Sequence, residues 1–216
     1  MVLFRGWANV TLPRGHIGSE EILMAKRLNV KTAFEQGVRE YFTKCGHLHA
    51  HEKPHQLWLG IVLTQHIPMH RILSEFDVAK KDVVTGTSIR PTRGVVSFDL
   101  CIAQKKSIDD RKFWTRTGHG NQDNTKAATL KSLKQLSIIA ELKTQTAATN
   151  LRGLKIDLLK MCGAVTFMKK QGAVKFPRCY LIVFDPDRTL PVEKAYNAVI
   201  SQWPKGVHKP RVLIGP

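Results

Sequence analysis

Three short, apolar, β-rich runs constrain this chain most: GVVSFDLCIA at 94–103, SIIAELKT at 137–144 and CYLIVFD at 179–185. Each has the length and residue types of a buried strand. The stretches around them repeat apolar residues at three- and four-residue steps, the spacing of an amphipathic helix. In KTAFEQGVREYFTKC (31–45) the stripe is Phe34, Val38, Tyr41, Phe42 and Cys45, closed by Gly46. NTKAATLKSLKQL (124–136) reads as a short basic helix. LRGLKIDLLKMC (151–162) reads as a helix with Leu151, Leu154, Leu158 and Met161 on one face. VEKAYNAVISQW is a helix opened by Pro191. Met161 and Trp203 read as core.

Strands alternating with helices place the chain in the α/β class, as a mixed central β-sheet flanked by α-helices. Residues 47–63, with the run LWLGIVL at 57–63, read as extended, and 64–93 as mixed. The expected organisation is an N-terminal arm at 1–29, a domain at 30–203 with an insertion at about 104–136, and a C-terminal tail at 204–216 rich in proline.

Composition narrows the partners. The 216 residues hold 34 Lys plus Arg against 17 Asp plus Glu, a formal net charge of +17. Such an excess on a folded domain points to a polyanion, foremost nucleic acid. No apolar run approaches the roughly 20 residues that span a bilayer, so no membrane partner is expected. The first ten residues, MVLFRGWANV, lack the pattern of a signal peptide. The four scattered cysteines (Cys45, Cys101, Cys162, Cys179) form no CxxC pair, which suits a reducing compartment. An intracellular, cytoplasmic protein is the expectation.

Two of the apolar strands carry acids. Asp99 stands within VVSFDLCIA, and Glu141 and Lys143 within SIIAELKT. Alternate strand residues share a face, so Glu141 and Lys143 point one way and Leu142 the other. A buried carboxylate is costly unless it is paired or binds a metal. An Asp and a Glu converging from neighbouring strands beside a Lys have the chemistry of metal-assisted phosphodiester hydrolysis. The lysine orients or deprotonates water, or steadies charge on the phosphate.

The FD at 98–99 followed by ELK at 141–143, each inside an apolar strand, resembles the PD-(D/E)xK nuclease superfamily, with its restriction-endonuclease-like fold. Phe98 stands where the motif nominally has proline. The Gln-x-x-x-Tyr motif of the exonuclease branch is missing, since Gln145 is followed four residues on by Thr149. The resemblance implies a Mg²⁺-dependent DNA endonuclease, with Mn²⁺ able to substitute. Glu35 of the first helix, Asp99 and Glu141 would be the metal ligands, with Lys143 as the fourth catalytic residue. Glu35 is preferred to Glu40 because it lies on the side of Val38 and Phe42. The resemblance also implies either a homodimer or a partner protein that supplies specificity, as in a defence, recombination or transposition system.

The DNA contacts are expected from four basic groups: Arg90 and Arg93; Lys105, Lys106, Arg111, Lys112 and Arg116, interleaved with Phe113 and Trp114; Lys126; and Arg152 with Lys155. Basic residues among aromatics suit phosphate contact with base stacking. The stretch CGHLHAHEKPH places Cys45, His47, His49 and His51 at alternate positions, but no second ligand pair accompanies them, so zinc is not expected. The alternative function is a non-catalytic nucleic-acid-binding protein with a degenerate nuclease fold.

Overall fold

A computed structural model describes residues 29–46, 48, 50–79, 83, 95–104, 126–145 and 150–215. Eleven elements follow in chain order: α1 (Val30–Cys45), α2 (Glu52–Leu63), a 3₁₀ turn (Met69–Arg71), β1 (Ile72–Ala79), β2 (Val95–Ala103), α3 (Lys126–Lys134), β3 (Leu136–Thr144), α4 (Leu151–Lys170), β4 (Arg178–Phe184), α5 (Val192–Ile200) and β5 (Arg211–Gly215). The strands form one sheet in the order β1-β2-β3-β4-β5. β1, β2 and β3 are antiparallel neighbours, whereas β3, β4 and β5 run parallel. The parallel half requires crossovers, which α4 and α5 supply. The expectation of a mixed sheet flanked by helices holds.

Two cores sandwich the sheet. On one face Ile139, Leu181 and Val183 pack with Leu133 of α3, Leu154, Leu158, Met161 and Val165 of α4, and Ala195 and Val199 of α5. Trp203 is buried there too. On the other face Ile138, Ala140, Leu142, Tyr180 and Ile182 pack with Phe34, Val38 and Tyr41 of α1 and Leu59 and Leu63 of α2. Adjacent residues of β3 thus serve opposite cores, as the two-residue period of a strand dictates. The four cysteines are free. Among the described residues, no helix is long and apolar enough to cross a membrane.

Three expectations need correction. The segment read as extended at 47–63 contains α2. His55, Gln56, Leu59, Val62 and Leu63 are its buried residues, a helical spacing that the continuous apolar run obscures. Pro54 lies in the first turn, where its missing N–H is tolerated. The mixed region 64–93 contains β1, which forms one edge of the sheet. The tail at 204–216 contains β5, the other edge, hydrogen-bonded to β4 in parallel register.

β1 and β2 share an irregularity that positions the site. Phe98 packs into the α4-side core, yet Leu100, two residues on, packs into the α1-side core. Leu73 and Phe76 both pack on the α4 side, three residues apart. The inversion falls at the same place in both strands, because Ser74 pairs with Leu100 and Phe76 with Phe98. Glu75 lies between them, opposite Asp99, with a left-handed φ of 52°. Such backbone in a non-glycine residue is costly and concentrates at functional sites.

Two predictions follow from the packing. The main-chain carbonyl of Val83 occupies the space that a Cβ on Gly163 of α4 would need. Gly163→Ala is expected to lower stability by about 1–3 kcal/mol, read as a reduced midpoint in thermal unfolding. On the other face, His55 is buried, shares a hydrogen bond with the Tyr41 hydroxyl through Nδ1, and stacks on Phe184 with ring centroids 4.5 Å apart. Burial pushes the His55 imidazole below its ordinary value. The unfolded chain therefore takes up a proton that the folded chain refuses. Stability from this group is present above pH of about 6.5 and is lost as pH falls through the lower folded value. Urea unfolding from pH 8 to 5 is expected to show a steeper loss for the parent than for His55→Gln.

Candidate active site

β2 and β3 are paired from Leu100↔Ala140 onward into the sheet. Immediately beyond that pair the Asp99 carboxylate, not the main chain, spans the gap. Its Oδ2 accepts the Leu142 N–H at 2.8 Å. The two antiparallel strands part at this point, and an acid stands in the opening. Gln56 of α2 donates to the Asp99 carbonyl from the other side, so the main chain of Asp99 is tied to the helix layer as well.

Glu141 and Lys143 project from β3 on the α4 side. Glu141 is 0% exposed. Its Oε2 accepts from Lys160 Nζ of α4 at 2.7 Å, while its Oε1 is buried and has no hydrogen-bond partner. Lys143 Nζ lies 2.8 Å from Glu52 Oε2 at the start of α2 and 3.0 Å from Asp157 Oδ2 of α4. Lys160 Nζ also reaches Asp157 Oδ1 at 3.0 Å and the Ser97 carbonyl at 3.2 Å. Asp157 thus bridges the two ammonium groups with its two oxygens.

The electrostatics follow from this crowding. Burial raises the Glu141 carboxyl well above the usual carboxylate range, Asp99 and Asp157 add to the rise, and Lys160 opposes it. Glu52 is raised as well, first by burial, with Lys143 pulling it down. Burial works against both ammonium groups, but their anionic neighbours outweigh it. Lys143 is raised by Asp157 and Glu52, and Lys160 by Glu141 and Asp157. Both lysines are therefore held as cations. Four carboxylates (Glu52, Asp99, Glu141, Asp157) surround two ammonium groups, and burial shifts two of the four, Glu141 and Glu52, toward the neutral form.

Asp99 is therefore held against β3 at Leu142, the residue between Glu141 and Lys143, and acts electrostatically on both. Glu35 is not part of this centre. It accepts from the Tyr180 hydroxyl at 2.7 Å and pairs with Arg211 of β5. Tyr180 belongs to the α1-side core, whereas Glu141 faces α4, so the sheet separates the two glutamates. Glu35 follows the buried stripe of α1, as expected, but that stripe covers the other face. Glu40, set aside on sequence, pairs with Lys44 and with His66.

Sequence reasoning missed Glu52, Asp157 and Lys160. Two of these carried a signal. Asp157 interrupts the apolar stripe of α4 next to Leu158, and an acid on a buried helix face needs a partner. Glu52 lies two residues before Pro54, an acid in a helix first turn. Lys160 had no such mark.

Of the expected DNA contacts, Lys126 is exposed at the start of α3. Arg152 is exposed and Lys155 half-buried near the start of α4. Arg90, Arg93, Lys105, Lys106, Arg111, Lys112 and Arg116 lie outside the described residues, as do His47 and His49. Among the described residues, no group of three or more His, Cys, Asp or Glu side chains is already arranged to hold a metal ion.

Removing the bridge between the lysines tests the network. Asp157→Asn leaves two buried ammonium groups short of an anion and is expected to cost about 3–5 kcal/mol in urea unfolding. Arg152→Asn, on the exposed start of the same helix, is expected to stay within about 0.5 kcal/mol of the parent. No protein-family model matches the chain, and neither the curated proteins nor the solved structures contain a significant match.

Proposed function

We propose that the chain is a divalent-metal-dependent DNA endonuclease of the PD-(D/E)xK kind. The observation that carries the reading is that the Asp99 carboxylate is held by the Leu142 N–H, between Glu141 and Lys143, where β2 and β3 part. That is the D…ExK pattern read from the sequence, on adjacent strands of a mixed sheet, at an opening in the sheet.

The donor set suits a hard cation such as Mg²⁺, which takes carboxylate oxygens and retains water. A buried glutamate oxygen without a partner, Glu141 Oε1, is the atom that a cation would satisfy. Asp99 and Glu141 would hold the metal, with Glu52 taking the helix-borne position first expected of Glu35. A bound divalent ion polarises a phosphoryl oxygen and lowers the pKa of its water. The chain's own groups do the rest. Asp99, anchored by the Leu142 N–H, keeps its carboxylate in the opening. Lys143, held as a cation between Glu52 and Asp157, sits where it can orient water and steady the phosphate charge. The excess of 17 positive charges draws DNA toward the domain. A second copy or a partner protein would supply sequence specificity.

A non-catalytic nucleic-acid-binding role is the second reading. It is favoured by the way Lys143 and Lys160 already engage the acids, with no metal-ready trio among the described residues. Incubation of supercoiled plasmid with Mg²⁺ separates the two. The parent chain is expected to nick or linearise the plasmid, and Asp99→Ala and Lys143→Ala to lose at least about a hundredfold in rate. Equal cutting by all three, or none by the parent with Mg²⁺ or Mn²⁺, rules out the nuclease reading.

A further inference from the structure

We infer that Lys160 is the resident cation of this acidic centre and that a divalent metal reaches Glu141 by displacing it. The inference rests on the metal-dependent reading above. An ammonium has three N–H donors, and here three oxygens surround it from three different elements. They are Glu141 Oε2 of β3 at 2.7 Å, Asp157 Oδ1 of α4 at 3.0 Å and the Ser97 carbonyl of β2 at 3.2 Å. Carboxylates and a main-chain carbonyl converging from separate elements form the kind of oxygen cage that proteins offer a hard cation. The lysine side chain is 15% exposed, and its partner Glu141 is 0% exposed.

A further observation says that the cage has an oxygen Lys160 does not serve. Glu141 Oε1 is buried without a partner, and the ammonium has already spent its donors on other oxygens. The exchange asks little of the fold. Asp157 and Lys160 are three residues apart on one helix, neighbours on its surface. The ammonium can therefore release Glu141 and keep Asp157. Lys143 stays between Glu52 and Asp157 throughout. In this scheme Lys160 holds β2, β3 and α4 together without metal, and competes with the metal for Glu141.

The test is calorimetric titration of the purified full chain with Mn²⁺, without nucleic acid, for the parent, Lys160→Gln and Lys160→Met. Removing the competitor is expected to tighten the Mn²⁺ dissociation constant about tenfold or more in both variants. A second measurement needs no variant. Labelling of the parent with an amine-reactive reagent, read at Lys160 by peptide mass spectrometry, is expected to rise severalfold at saturating Mn²⁺. Unchanged or weaker affinity in folded variants, with unchanged labelling of Lys160, overturns the inference and leaves the metal-dependent reading standing. Absence of Mn²⁺ binding by the parent and by both variants overturns both. Where the variants do not fold, the labelling result decides alone.

Discussion

A glutamate buried completely in the middle of a sheet needs a polar partner, and much of this molecule is arranged around that requirement. Glu141 takes Lys160; Lys160 needs Asp157; Asp157 holds Lys143; Lys143 takes Glu52 from the opposite helix layer. The chain of charges runs from α4 through the opening in the sheet to the start of α2. It ties together elements that otherwise belong to two separate apolar cores. Replacing both Glu141 and Lys160 by apolar residues of similar size is often neutral or stabilising for such a pair, so stability alone is a weak reason for an acid there.

The layers of the fold were legible because its central strands obey simple periods. Residues 136–144 and 178–184 each hold a short, buried apolar run that makes their strand character plain, and the alternation of Glu141 with Leu142 assigns the faces of the first correctly. β1 escaped notice for a physical reason. Its buried residues Leu73, Phe76 and Val78 do not alternate, because the left-handed turn of backbone at Glu75 inverts the pleat. β5 escaped because it is five residues long, is preceded by Pro210, and exposes much of its surface. α2 was misread because its apolar run masks a helical spacing visible only once His55 and Gln56 are counted among the buried residues.

The site was half legible for a related reason. A pattern on a strand specifies a face and a neighbour, so Asp99, Glu141 and Lys143 could be placed together. A stripe on a helix specifies only that one side is buried, not which side of the sheet it covers. Glu35 satisfies its stripe and lands across the sheet, on Tyr180 and Arg211. Glu52, Asp157 and Lys160 join the centre through tertiary packing that no local period encodes.

The kink at Glu75 bears on more than the shape of an edge strand. Glu75 pairs with Lys53, the residue after Glu52, and Gln56 of the same helix grips the carbonyl of Asp99, which faces Glu75 across the strands. The outer rim of the sheet, the first turn of α2 and the acid in the opening are therefore one linked mechanical body. The start of the second helix is thus fastened to the sheet at two points, its own Lys53 and Gln56, on either side of the kink.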